Sequence, residues 1–446
     1  MPDTKKELNY VTDSIGSLYR RLLPSAIGSL LTATVASLID VIILTYYLGP
    51  SMLSVVQLCM PVYMLVNTLS MLISSGASTL YAHFLGEGDR EEALRYFSAA
   101  TIHMLICGGA LTLVGLAFTG PVVRLLGAND AVMAPTMDYA HVLFFFMIPL
   151  MIYVQLLFFV RVDGDPTRVL VSTAVCAVVN LGLDILFVGP LGWGPKGAAL
   201  ATCLAYTVGM AVNLTHFAGK RNNLKFRKDC LRGRGLRLWR AGLPLAASQL
   251  GMTVSTNVFN NVIIRAGDER YVAVYAVIVQ LSMTAMAIYD GVGQAAQPIL
   301  AAASGAGLPD RIRKVFRRGV MLELIGTGAL ALVYIVLARP IAGLFSIKEG
   351  ELLSLALTGV RIYALSIPLM GLNSIIMYYF QAQEKTGRGL LISLLSGSVL
   401  LIAALLALTA LFGVRGIWYS WVVAQALALA VSCVLFKMVQ NGKREI

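Results

Sequence analysis

Between Leu22 and Phe436 the chain is a succession of apolar stretches separated by Gly, Pro and charged residues. Most of them are long enough to cross the ~30 Å hydrocarbon core of a bilayer as a single helix. Hydrocarbon gives the backbone no hydrogen-bond partner, so stretches of this kind are driven to form helices that satisfy themselves. Counting them predicts an all-α polytopic membrane protein with about twelve transmembrane helices. The expected spans run from Leu22–Leu48 and Met52–Ile73, through Met133–Val160 and Thr167–Val188, to Gly389–Phe412 and Gly416–Phe436. Composition agrees: 58% of residues are hydrophobic and 13% charged, against roughly 25% charged in a soluble domain.

The net charge of +12 comes from 35 Lys and Arg against 23 Asp and Glu. A charge of this sign raises the question of nucleic acid, but most of the basic residues fall at alternate ends of the apolar spans. They gather at Lys5, Lys6, Arg20 and Arg21, at Arg90 and Arg95, at Arg161 and Arg168, and across Lys220 to Arg240. Further groups are Arg311 to Arg318, Lys385 and Arg388, and Lys437, Lys443 and Arg444. The opposite loops carry few, so the positive-inside rule puts both termini in the cytoplasm of a plasma-membrane protein. The basicity therefore reads as topology, with the lipid bilayer as a partner and no nucleic acid. The polar start MPDTKKELNYVTDSIGS, with no cleavage site after a short apolar core, is read as carrying no removable signal peptide. The six cysteines include no CxxC pair, so neither a disulfide nor a zinc site is expected.

Landmarks recur at a displacement of about 219 or 220 residues. Leu23-Pro24 answers Leu243-Pro244, Pro121 answers Pro340, and Ile148-Pro149-Leu150-Met151 returns intact as Ile367-Pro368-Leu369-Met370. A repeat on this scale marks a duplication. The expected organisation is an N-terminal six-helix bundle over residues 1–218, a basic cytoplasmic linker over 219–238 and a C-terminal six-helix bundle over 239–446. Six is even, so both halves enter the membrane in the same sense. They would be related by a pseudo-two-fold axis along the membrane normal.

Against this apolar background the internal charges are conspicuous. Asp184 lies inside the fifth span with Asn180 one turn before it, so a helix stacks the amide and the carboxylate on one face. Asp40 lies in the first span. A carboxylate at membrane depth costs ~2.5–3.5 kcal/mol even on the lenient insertion scale, so it faces a protein interior or watery cavity and marks an ion path. We expect Asp40 and Asp184 to share one cavity in the first half and to exchange a cation there. At the repeat displacement Asp40 corresponds to Asn260, and Asp184 falls opposite apolar sequence near Ala403. The second half has Asp290 and Arg361, read as an ion pair or as substrate contacts, while Glu323, near Arg318, reads as interfacial. Met252, Met283, Met286, Met370 and Met377, with Gln249, Gln280, Asn257 and Asn373, are candidates for a permissive substrate cavity, since thioethers adapt to varied ligands. Asp89 and Glu92 fit a helix start in which Asp89 accepts from free backbone amides. Gly86-Glu87-Gly88 is no nucleotide loop, because no strand precedes it and no Gly-Lys-Ser/Thr follows. The histidines follow no metal spacing.

The GEGDREEALRYF run after the second span, the RVDGDP stretch from Arg161 to Pro166, and the NLGLD run closing the fifth span resemble the multidrug and toxic compound extrusion (MATE) transporters. The resemblance covers essentially the whole chain, and the first-half acids look most like the bacterial DinF-type branch. It implies a secondary active transporter and no enzyme. Such a protein alternates access to a central cavity and exports amphipathic, often cationic small molecules against H+ or Na+, with no cofactor and as a monomer. It also implies a coupling network at Asp40, Tyr139, Asn180, Asp184 and Thr202, with Na+ as an alternative ligand of Asp40, Asn180, Asp184 and Thr202. Ordinary packing is the competing reading for Tyr139 and Thr202. Second-half acids of the NorM-type branch are not matched: Asn260 and Asn261 stand where one would be sought. Rival functions are a flippase for lipid-linked precursors or polysaccharides within the same wider superfamily, and a non-transporting membrane scaffold or receptor.

Overall fold

The computed structural model describes residues 8–265, 269–345 and 347–441; Lys5, Lys6, Lys443 and Arg444 of the basic set lie outside them. Among the described residues there are only helices, turns and loops. Helices α1 (Ile15–Gly49) and α2 (Ser54–Glu87) meet at Gly49, whose φ of 72° lies in the left-handed region that costs glycine little. Next come α3 (Arg90–Ala117), α4 (Met133–Phe145 continuing as Met147–Val162), α5 (Pro166–Val188) and α6 (Gly194–Leu214). The second series is α7 (Gly235–Arg265), α8 (Glu269–Gly305), α9 (Pro309–Val336) and α10 (Gly350–Ala382). It closes with α11 (Thr386–Leu394, a π turn over Leu395–Val399, then Leu400–Phe412) and α12 (Gly416–Asn441). Gly413, with φ 61°, reverses the chain between these last two. The chain divides into two compact units, Met1–Gly242 and Leu243–Ile446.

Two features depart from the uniform spans expected. α4 is bent by 52° between Phe145 and Met147, where one straight helix over Met133–Val160 was anticipated. Pro149 lacks the amide that would bond to Phe145, and its ring crowds that carbonyl. Several helices also outrun their apolar stretches, because polar residues at the ends cap them. Ser14 accepts from the amide of Ser17 at 3.3 Å to open α1, and Asp89 accepts from the amide of Glu92 at 2.9 Å to open α3, the capping role its spacing suggested.

In the first unit the basic linker is fastened to the start of α3. Arg227 reaches both oxygens of Glu91 at 2.7 Å, and Arg234 both oxygens of Glu92 at 2.7 Å. The first turns of α7 then lie directly on α2. A Cβ on Gly242 would sit 1.8 Å from the carbonyl oxygen of Leu72, and one on Gly76 would sit 2.1 Å from that of Leu238. In the second unit the core is aromatic, with Phe259 stacked on Tyr275 at 5.3 Å and Trp421 set edge-on to Tyr363 at 5.5 Å. The outward faces are apolar too: Leu113 on α3 and Leu332 on α9 are 72% and 62% exposed, the pattern of a surface that meets lipid.

Candidate functional site

α1 and α5 both run away from the end that carries Arg20, Arg21, Arg161 and Arg168, so they lie parallel. Their contact is set near that end. Ser25 donates to the carbonyl of Pro166 at 2.5 Å, and the missing side chain of Gly28 admits Leu170, whose Cδ1 is 2.9 Å from where a Cβ would be. At 1.5 Å per residue, Asp40 lies roughly 18 Å beyond Gly28 and Asp184 roughly 21 Å beyond Leu170. The register that packs the two helices therefore brings both acids to one level.

There the carboxyl groups of Asp40 and Asp184 lie close enough to interact directly. Asp184 is fully buried and Asp40 partly so. Asn180 donates to Asp184 Oδ2 at 2.7 Å and to Thr202 Oγ1 on α6 at 3.4 Å. Oδ1 of each acid is screened from solvent and accepts from no donor. The structure thus brings Asp40, Asn180, Asp184 and Thr202 into one group. Tyr139 stands at its edge, packed with Leu44, Val56, Val188 and Ala198, within electrostatic reach of Asp40 but bonded to neither acid. Two full negative charges about 4 Å apart repel by about 4 kcal/mol at an effective dielectric constant of ~20. Such a pair is relieved by taking a proton or a bare cation between its oxygens.

At the basic end of the same unit lies a second polar group that the spacing of the histidines did not disclose. His216, fully buried just after α6, places Nε2 2.8 Å from Asp163 Oδ2 and Nδ1 3.5 Å from Asp165 Oδ2. Asp163 also accepts from the Tyr81 hydroxyl at 3.0 Å and from the amide of Asn223 at 2.8 Å. Asp165 caps α5 and accepts from Arg168 Nε at 2.8 Å. The adjacent His216 imidazole, with the hydrogen bonds from Arg168, holds the Asp165 carboxyl below the usual carboxylate range.

The second unit holds a cavity of ≈ 50 Å³ among α7, α8, α10, α11 and α12. Asp290 and Met252 line it, together with Met370, Met377, Asn373 and Gln425. Asp290 accepts from Ser374 at 3.3 Å. Asn373 donates to Gln425 Oε1 at 3.0 Å, and Gln425 donates to the carbonyl of Ser396 in the π turn at 2.9 Å. Asn257, Gln280, Met283, Met286 and Arg361 do not line this cavity. Arg361 is exposed and makes no ion pair with Asp290, which is buried and accepts from Ser374, so the paired-charge reading is corrected. Glu323 is also corrected, from interfacial to fully buried. One helical turn separates it from Arg318, but the turn carries it inward, against Gly371.

The MatE family model matches residues 24–186 and again 244–407. Over 435 residues the chain is 24% identical to a probable multidrug resistance protein, YoeA, of Bacillus subtilis, covering 95% of this chain and 93% of that one. It is 22% identical to the multidrug export protein MepA of Staphylococcus saprophyticus, covering 93% and 92%. Over 73% of each chain it is 25% identical to an FAD transporter of Shewanella oneidensis. Among solved structures, an outward-facing multidrug resistance MATE transporter superposes with a TM-score of 0.91 at 22% identity over the full length of both chains. A MATE structure in the bent conformation gives 0.89 at 23% identity over 99% of each. With one match in each half and together most of its length, the chain belongs to the MatE family, the multidrug and toxic compound extrusion transporters.

Proposed function

We propose that this multi-pass membrane protein exports amphipathic, cationic organic compounds in exchange for H+ or Na+, with Asp40 and Asp184 as the coupling site. Its relatives are transporters rather than enzymes, and several are named for multidrug export. The observation that carries the reading is the facing of two carboxyl groups at membrane depth, one of them fully buried, each with an oxygen that accepts from no donor. Two such acids meeting at one point disfavour their joint ionisation unless a cation is held between them.

In this reading the ionised pair attracts a cationic substrate or repels itself. A proton entering from outside neutralises one charge, weakens the hold on the substrate and relaxes the contact between α1 and α5. Release of that proton to the cytoplasm restores the first state and allows access to alternate. Asn180 and Thr202 hold Asp184 in place through the cycle. The free Oδ1 atoms of the two acids, with the side-chain oxygens of Asn180 and Thr202, are hard donors that would serve Na+ equally. The DinF-type branch assignment rests on these same residues. We place both termini in the cytoplasm and take the working unit to be a monomer.

The flippase reading needs cationic side chains gathered for a pyrophosphate. It is disfavoured because the charged group lining the second-unit cavity is Asp290, while Arg361 is exposed. A scaffold or receptor leaves the acid pair without work. The test is ethidium flux in proteoliposomes under an imposed pH gradient, with and without sodium. Gradient-driven flux identifies a transporter and its ion together; flux indifferent to both gradients would refute the proposal.

A further inference from the structure

α5 and α6 face each other along a seam that is polar from the acid pair to the basic end of the unit. On α5 the residues Ser172, Cys176, Asn180 and Asp184 recur every fourth position; on α6 and the turn after it Thr202, Tyr206, Gly209, Asn213 and His216 alternate four and three apart. Both spacings describe one helix face. The contacts bear out the pattern. Asn180 joins Asp184 to Thr202. One turn below Thr202, the hydroxyls of Tyr206 and Tyr63 share a hydrogen bond, and the Tyr206 ring lies 5.3 Å from that of Tyr153. The Tyr153 hydroxyl sits among the side chains of Ser172, Thr173 and Cys176. Asn213 donates to Ser172 Oγ at 2.8 Å, and one turn further on is His216, 2.8 Å from Asp163.

Polar side chains between membrane helices often serve packing alone. Two details go further. Gly209 is required for Tyr153 to reach the seam, since a Cβ there would lie 2.7 Å from the Tyr153 ring. Asn213 is fully buried, yet its Oδ1 accepts from no donor; it is an unpartnered acceptor one turn from His216 on the same face.

We propose that this seam is the route by which a proton held at the Asp40–Asp184 pair leaves toward the basic end, passing Thr202, Tyr206, Tyr153 and Ser172 to reach His216 and Asp163. The inference rests on the coupling reading above and adds the path. Each hydroxyl accepts a proton on its oxygen and gives up its own to the next acceptor, Ser172 turning from the Gly209 carbonyl to which it donates at 2.8 Å, so nothing but a proton moves. Asn180 and Asn213 carry no transferable proton and act as positioning residues. At the terminus the charged and titratable groups around His216 are Asp163 and Asp165, with Tyr81 and Tyr10 beside Asp163 and Arg168 and Arg221 beside Asp165. Arg161 lies near Tyr10. His216, set between the two acids, receives the arriving proton before it is lost to water.

The test uses full-length protein in liposomes with ethidium as the probe, comparing wild type, Asp184→Asn, Tyr153→Phe and Ser172→Ala. Three quantities are read: flux driven by a pH gradient, ethidium-for-ethidium exchange with no gradient, and equilibrium ethidium binding. Tyr153→Phe keeps the ring and its packing. It should slow gradient-driven flux by roughly tenfold or more while exchange and binding stay at wild-type level; Ser172→Ala should do the same and Ser172→Thr should recover. Wild-type flux in Tyr153→Phe and Ser172→Ala beside an inactive Asp184→Asn would overturn the path and leave the coupling site standing. Full gradient-driven flux in Asp184→Asn would overturn both. Loss of exchange or binding along with flux in Tyr153→Phe would assign the seam to structure and overturn the path.

Discussion

Replacing His216 with alanine would remove the imidazole buried against Asp163. The histidine is fully buried and the Asp163 side chain is 2% exposed, so water cannot take over the lost bond. Deleting one partner of a buried pair costs about 3–5 kcal/mol, because the other charge is left without compensation. Here Asp163 keeps two donors, the Tyr81 hydroxyl at 3.0 Å and the Asn223 amide at 2.8 Å. That places His216→Ala at the low end, about 3 kcal/mol. The effect is local to the first unit, so global melting is a poor gauge and amide hydrogen exchange is the better one. The Asn223 amide, which donates to Asp163, should lose protection by about a hundredfold at neutral pH, following ~1.4 kcal/mol per factor of ten. A loss below roughly fivefold, under ~1 kcal/mol, would mean that Asp163 does not depend on His216, and the description of that group would be wrong.

Asp165 gives a pH signature. Its carboxyl is held below its ordinary value of 3.8, so its contribution is full above that value and disappears as the pH falls below it. Melting curves taken down through about pH 3 should show Asp165→Asn losing less stability in acid than wild type; equal losses would contradict the assignment. Glu323 is fully buried and neither of its carboxyl oxygens has a partner. Glu323→Met should therefore raise the melting temperature of the purified protein, by relieving about 1–3 kcal/mol of unsatisfied burial, and a lower melting temperature would refute this. Gly242→Ala would set a methyl 1.8 Å from the Leu72 carbonyl oxygen. It should destabilise by at least about 1–3 kcal/mol, seen as loss of monodisperse protein on size exclusion, whereas Gly109→Ala, with nothing within 4 Å, should behave as wild type.

How much of this could be read from the sequence follows from the range of each signal. Apolar length gave the helices and the displaced landmarks gave the repeat, because both are properties of the chain in one dimension. The juxtaposition of Asp40 and Asp184 was legible from cost alone: neither acid can face acyl chains. The bend in α4 was not legible, since the same Ile-Pro-Leu-Met tetrapeptide leaves α10 continuous. His216 is not legible, because its partners lie 51 and 53 positions away in the chain and only the fold brings them together. The burial of Glu323 is not legible either, because distance from Arg318 along the helix says how deep a residue is, not which way it faces. The seam beneath the acids was partly visible: the four-residue spacing of Ser172, Cys176, Asn180 and Asp184 was there to be seen, but Tyr153 and Tyr63 join it from other helices.

The central claim is that Asp40 and Asp184 exchange a cation for substrate, and it is tested most directly by proton release. Purified protein in weakly buffered detergent solution, with a pH indicator, is mixed with ethidium at a pH where the pair holds a proton. The account predicts a prompt release of protons in step with ethidium binding, absent in Asp184→Asn and in Asp40→Asn. If Na+ is the coupling ion, sodium displacement takes the place of proton release and is lost in the same two variants. Cation release of wild-type size from both variants would contradict the account.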